Sequence, residues 1–118
     1  MVRRASILSA VWLVVATGVA YADARSEAKS QVEFGINVAQ RGLWREAIYR
    51  WERAASLDSS YAAAFNNLAV GYEHEGMLEQ ARKSYERALE LDPNNSVIRQ
   101  NYELFKEIND RANRRNSG

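Results

Sequence analysis

The chain has 118 residues, with 16 basic and 15 acidic side chains and a formal net charge of +1. That length suits a single domain, and the near-neutral balance gives no electrostatic ground for binding nucleic acid. With no cysteine, a disulfide framework, thiolate metal sites and a lipid-modified N-terminal cysteine are all excluded.

The first 22 residues read as a targeting segment. Arg3 and Arg4 form a positive start, and Ala5 to Ala20 carries no charge while including Ile7, Leu8, Val11, Trp12, Leu13, Val14, Val15 and Val19. Ala20-Tyr21-Ala22 puts small residues at the two positions a signal peptidase reads, and Ala22-Asp23-Ala24 offers a second cut. The uncharged run from Ala5 to Ala22 has 18 residues, the lower edge of what spans a bilayer, and Thr17 and Gly18 dilute it. The expectation is an exported protein, periplasmic or secreted. The alternative is a membrane anchor through residues 5–22, and membrane contact is expected only if that segment is retained. Cleavage after Ala22 would leave 14 basic side chains against 15 acidic ones.

Asp23 to Glu27 reads as a short polar lead-in. From Ala28 the spacing is helical, with Phe34, Val38 and Ala39 on one face. Gly42 stops that helix, since glycine accepts the positive φ of a helix end. A second helix follows with Trp44, Ala47, Ile48, Trp51, Ala54, Ala55 and Leu57, and Asp58-Ser59-Ser60 supplies turn and N-cap side chains. Ala62 to Glu75 carries Phe65, Leu68, Ala69 and Tyr72, and Gly76 breaks it. Leu78 to Leu91 carries Ala81, Tyr85, Ala88 and Leu89. Asp92-Pro93-Asn94-Asn95 closes that helix, because proline disfavours helical geometry in the residue before it. A fifth helix is expected from about Ser96 to Asn109. Residues 110–118 have almost no apolar side chains and are expected to form a disordered tail. No segment alternates as a strand does.

Ala28 to Tyr61 can be laid on Ala62 to Asn95 without a gap, a period of 34 residues. Gly42 falls on Gly76, Ala47 on Ala81, Trp51 on Tyr85 and Ala54 on Ala88. Numbered from Ala62, the second unit has Phe65 at the fourth place, Leu68 and Ala69 at the seventh and eighth, and Tyr72 at the eleventh. Ala81, Tyr85, Ala88 and Pro93 follow at the twentieth, twenty-fourth, twenty-seventh and thirty-second. This unit, residues 62–95, resembles a tetratricopeptide repeat. Residues 28–61 are a degenerate copy: Phe34, Gly35, Ala47, Trp51 and Ala54 are kept, but Gln31, Val38 and Ser59 replace an aromatic, a tyrosine and the proline.

The resemblance implies an all-α fold, a short helical solenoid of two helix–turn–helix repeats with a C-terminal capping helix at residues 96–109. Gly35 and Ala69 would admit a facing helix at close range. Glu103 stands at their place in the fifth helix, where it would block a further helix and face water, as a terminal cap requires. Ile98, Tyr102 and Phe105 would cover the second pair.

In this family the first helix of each pair lines a concave, peptide-binding groove. The resemblance therefore implies a groove built from Val32, Glu33, Ile36, Asn66, Asn67, Val70, His74, Asn101 and Leu104. Ile36, Val70 and Leu104 recur at the repeat spacing as an apolar stripe flanked by amides, which suits an extended segment. The competing reading is that a tightly curled solenoid buries this row against itself. A carboxylate clamp is not expected: Asn67 matches one clamp asparagine, but Val32 and Val97 occupy the lysine places, Ile36 the other asparagine place and Asn101 the arginine place.

His74 is the single histidine. Glu73 and Glu75 flank it, but neighbours in sequence do not face each other on a helix, so no metal is expected. Trp44, Trp51 and Tyr85 read as packing, with Tyr49 exposed. No catalytic constellation and no phosphate-binding loop is present, so neither a catalytic residue nor a cofactor is expected. The function read from the sequence is a non-enzymatic, exported protein–protein interaction module whose partner is another protein or peptide. The alternative is a structural or assembly subunit, or a homo-oligomer, packing through its repeat ends near Gln31 and Val38. Two repeats fall short of the three or so that make such stacks stable.

Overall fold

The computed structural model describes the backbone of residues 2–118 and the side chains from residue 20 onward. Among the described residues five helices follow one another, α1 (Val2–Gln40), α2 (Trp44–Leu57), α3 (Ala62–His74), α4 (Leu78–Leu91) and α5 (Ser96–Asn116), and no strand forms. α1 packs on α2, and α3 on α4. α2 joins the pairs by packing on α3, and α5 closes the second pair by packing on α4 and α3. The architecture is a short helical solenoid with a capping helix.

The two turns inside the pairs are copies of one another. Gly42 and Gly76 have φ of 82° and 75°. Leu43 N–H donates to the Val38 carbonyl at 3.0 Å and Gly42 N–H to Ala39 at 2.9 Å; Met77 N–H donates to Tyr72 at 2.8 Å and Gly76 N–H to Glu73 at 3.1 Å. This double bonding satisfies carbonyls that a helix end leaves orphaned. It also fixes the direction in which α2 and α4 leave their turns. α5 starts on a side-chain cap: Asn95 Oδ1 accepts from Val97 N–H at 3.1 Å and Ile98 N–H at 3.2 Å.

The core forms around two side chains related by the repeat. Trp51 gathers Val32, Ala47, Ile48, Ala54, Ala64 and Leu68, and Tyr85 gathers Ala69, Ala81 and Phe105. Two glycines bring helices onto the indole. A Cβ on Gly35 would lie 2.3 Å from Trp51 Nε1, and one on Gly71 would lie 2.8 Å from Ile48 Cγ1 and 3.0 Å from Trp51 Cζ3. The indole is held in place, since Nε1–H donates to the Val32 carbonyl at 3.1 Å.

Several sequence-based expectations give way. Asp23 to Glu27 is not a lead-in but part of α1. It contains no breaker, and Arg25 is anchored to the α2–α3 turn. That turn supplies no N-cap side chain to α3: the N-cap residue is Tyr61, without a side-chain bond. α5 does not end at Asn109 but runs to Asn116. Nothing in 110–116 breaks a helix, and Arg111 bonds Glu107 one turn back at 2.5 Å. These residues are exposed, as expected, but helical. Phe34 does not join the core face, and it is 47% exposed. Its counterpart Leu68 is buried against the first pair, whereas among the described residues no helix pair packs over Phe34 in the same way. The Arg50 guanidinium covers its ring instead, at 4.2 Å.

The targeting or anchor segment lies largely outside the residues whose side chains are described. Among the described residues no helix is long and apolar enough to cross a membrane.

Candidate functional site

α1, α3 and α5 are the first helices of successive units, and each presents one face in the same pattern. Glu33–Ile36–Gln40, Asn67–Val70–His74 and Asn101–Leu104–Ile108 are spaced i, i+3, i+7, so each triplet shares a helix face. These faces remain partly open: Ile36 is 39% exposed, and Asn67 and Val70 are half-buried. Between α1 and α3 lies a depression of about 270 Å³ whose walls include Ile36, Ala39, Trp44, Trp51, Asn67 and Val70. Trp44, the first residue of α2, stacks on His74, the last of α3, with ring centroids 4.0 Å apart and planes 15° apart. The stack fixes one end of the depression.

The structure thus brings together Ile36, Asn67 and Val70, with His74 behind Trp44. It treats the other expected groove residues differently. Val32 is buried and cannot meet a ligand, because α1 turns it under the Trp51 indole, which bonds its carbonyl. Glu33 is exposed. Leu104 shares a hollow with Gln100, Glu103 and Glu107 of its own helix, not with Ile36 and Val70.

The amides are already engaged in part. Asn101 Nδ2 donates to Asn66 Oδ1 at 3.2 Å, and Asn67 Nδ2 donates to the Ala63 carbonyl at 2.8 Å. What remains for a ligand is the Asn67 side-chain carbonyl, the Asn66 NH₂ and the Asn101 carbonyl. Asn66 also borders a second depression, of about 560 Å³, at the starts of α3 and α5, with Arg25, Tyr61, Asp92 and Val97 on its walls.

Arg25 was not singled out by its sequence context, yet it ties α1 to the turn between the pairs. Its guanidinium bonds Asp58 and reaches Ser60 Oγ at 3.2 Å, and it lies 4.7 Å from the centre of the Tyr61 ring. Asp58 also accepts from Ser60 N–H at 3.0 Å and Ser60 Oγ–H at 2.6 Å. The Arg25 bond, then the Ser60 hydroxyl, holds the Asp58 carboxyl below the usual carboxylate range. Three phenols tie neighbouring helices: Tyr72 donates to Glu52 at 2.8 Å, Tyr85 to Glu73 at 2.9 Å and Tyr102 to Glu86 at 3.2 Å. Burial, then the Glu52 bond, pushes Tyr72 up to about 12, and the same causes raise Tyr85 and Tyr102. These phenols act as fixed donors. Among the described residues no three His, Asp or Glu side chains gather as metal ligands.

Trp44, which sequence reasoning assigned to packing, does pack against the first core and in addition lines the depression. It follows the Gly42-Leu43 turn, whose geometry sets its direction, and no periodicity upstream of Trp44 reports that direction.

Residues 62–95, the second helix pair with its closing turn, match the tetratricopeptide repeat family. Among solved structures, the chain is similar to one described as the first TPR of Spaghetti (RPAP3) bound to an HSP90 peptide. The identity is 21%, the match covers 71% of this chain and 94% of that chain, and the TM-score is 0.45. No curated protein matches the chain.

Proposed function

We propose that this chain is a non-enzymatic protein-interaction module that holds a polypeptide segment on the concave side of its helix pairs. The observation that carries this reading is the open apolar depression formed by Ile36, Trp44 and Val70 beside Asn67. Its volume of about 270 Å³ admits an aliphatic or aromatic side chain, given that an apolar cavity of roughly 150 Å³ takes up benzene. The Asn67 side-chain carbonyl stands at its edge as an acceptor for a backbone N–H of the bound segment. The match of residues 62–95 to a repeat family of interaction modules supports the same reading.

Two charge insertions test it. Ile36→Glu and Val70→Glu should each lower partner recovery in a crosslinking capture by roughly tenfold, because a carboxylate buried without a partner costs more than the ~1.4 kcal/mol of one tenfold step. Undiminished recovery by both variants, with helical circular dichroism intact, rejects the depression as the binding surface.

The same proposal includes export, supported by Arg3-Arg4, the uncharged run after them and Ala20-Tyr21-Ala22. Every buried side chain among the described residues lies at or after Ala28, so a chain beginning at Asp23 would keep all of them. N-terminal sequencing of the protein from its source decides the point: a start at Asp23 or Arg25 supports export with cleavage, and a start at Met1 refutes cleavage.

A further inference from the structure

Two bonds near the start of the repeats fit a cut after small residues: Ala22–Asp23, behind Ala20-Tyr21-Ala22, and Ala24–Arg25, behind Ala22-Asp23-Ala24. The small-residue pattern does not choose between them. Burial does not choose either, because among the described residues the first buried side chain, Ala28, lies beyond both.

The two cuts differ in the helix end that each creates. α1 runs unbroken from Val2 to Gln40, so either cut opens the helix in its interior and leaves the N–H groups of a new first turn without acceptors. A side-chain oxygen on the residue that starts the new helix satisfies one of them, and Asp and Asn are among the best residues for this. A cut after Ala22 puts Asp23 in that place, with the N–H groups of Arg25 and Ser26 at the positions an N-cap reaches. Its carboxylate also meets the positive end of the helix dipole. A cut after Ala24 puts Arg25 there instead. A guanidinium has donors only, so the new first turn gains no acceptor, and a cation stands at the positive helix end.

Arg25 has a second role that the later cut disturbs. Its guanidinium holds Asp58 and Ser60 of the α2–α3 turn and lies over the Tyr61 ring. Ala24, beside it, is half-buried at a hollow shared with Leu57 and Asp58. With Asp23 and Ala24 ahead of it, Arg25 stands inside the first helical turn and its backbone is fixed. As the terminal residue it stands outside the helix, where the chain frays. The earlier cut removes Tyr21 and Ala22, which are exposed.

We infer that this chain is processed at the Ala22–Asp23 bond, and that the processed protein uses Asp23 as the N-cap of α1, holding Arg25 against Asp58. The inference rests on the export reading above. It gives Asp23 a role that changes with processing: inside the full α1 an aspartate is a poorer helix former than alanine, and at the processed end it is the cap.

The full-length chain is expressed in its source, as the parent and with Asp23→Ala or Asp23→Asn, which leave Ala20 and Ala22 in place. The mass of each exported protein gives its terminus, and thermal melting its stability. A start at Asp23 is expected. Melting of the processed protein should fall by about 4–8 °C with Asp23→Ala, while Asp23→Asn, an equally good cap, should melt with the parent. In the unprocessed full chain, made without an exporting membrane and kept in mild detergent, Asp23→Ala should not lower the melting temperature. A start at Arg25 overturns the inference and leaves export standing, whereas a start at Met1 overturns the export reading and the inference with it. A processed Asp23→Ala protein that melts with its parent, or an equal loss in the full chain, overturns the capping role.

Discussion

At the scale of the residue, the fold turns on a contact that only glycine permits. Gly35 sits in the middle of α1, where alanine would be the better helix former by about 1 kcal/mol. The space decides otherwise, because the added Cβ would stand 2.3 Å from an indole nitrogen already bonded to Val32. Overpacking of this kind costs about 1–3 kcal/mol, and the pinned ring has little room to yield. Gly35→Ala should therefore lower stability in urea denaturation despite its helix propensity; a gain would show that α1 does not approach Trp51 so closely. The 34-residue alignment reveals Gly35, since it falls on Ala69. Gly71 has the same role against Ile48 and Trp51, but its counterpart Asn37 is exposed, so the repeat gives no hint of it. Gln31 shows the cost of degeneracy. It holds the place of Phe65, and its Oε1 is buried without a hydrogen-bond partner.

At the scale of the element, helix ends marked by glycine, proline or asparagine, or by the Asp58-Ser59-Ser60 turn, were legible, and the two ends in polar stretches without such a signal were not. Gly42, Gly76 and the Asp92–Asn95 segment stop and start helices through backbone geometry that few residues can supply. Asp23–Glu27 and Asp110–Asn116 are polar, but polarity does not end a helix, and both are helical. Arg25 gives the first of these stretches its role, as the link between α1 and the turn that joins the pairs. The pH dependence follows from sign. The folded Asp58 carboxyl titrates below its unfolded value, so its contribution is present above the unfolded value of about 3.9 and is lost as pH falls through the folded one. Acid unfolding of the parent should steepen below about pH 4, and Asp58→Asn should remove that component while lowering stability at neutral pH. Identical acid profiles for the two proteins would refute the link.

At the scale of the whole molecule, the two pairs are unequal in what surrounds them. The second pair has a neighbour on each side, and its tyrosine packs against the cap, with centroids of Tyr85 5.4 Å from Phe105 and 5.5 Å from Tyr102. Among the described residues α5 touches only α3 and α4. Phe105→Ala, removing a fully buried ring at a cost of about 3–5 kcal/mol, should release α5 while the first pair persists. Hydrogen exchange would then show fast α5 amides beside protected amides in α1 and α2; uniform loss would mean that the molecule unfolds as one unit. The repeat made the meeting of Ile36 and Val70 legible, since one period relates equivalent positions, but Leu104, one period further on, lines a hollow of its own helix. The repeat could not show that Val32 turns inward or that Asn66 bonds Asn101, because those depend on how far each helix rotates against its neighbour. One further consequence concerns handedness. At Gly42 and Gly76 the backbone takes a positive φ, natural to a D-amino acid, and even an L-type Cβ there would meet nothing within 4 Å, so strain at the backbone is all that excludes it. A chemically synthesised chain with D-alanine at both positions should fold unchanged. It should melt higher, by about 0.4–1 kcal/mol of stability per site, through lost freedom of the unfolded chain. L-alanine at the same sites should cost roughly 1–2 kcal/mol each. The two turns that shape this solenoid are thus its points of inverted chirality, and a pair of diastereomers compared by thermal melting reads them directly.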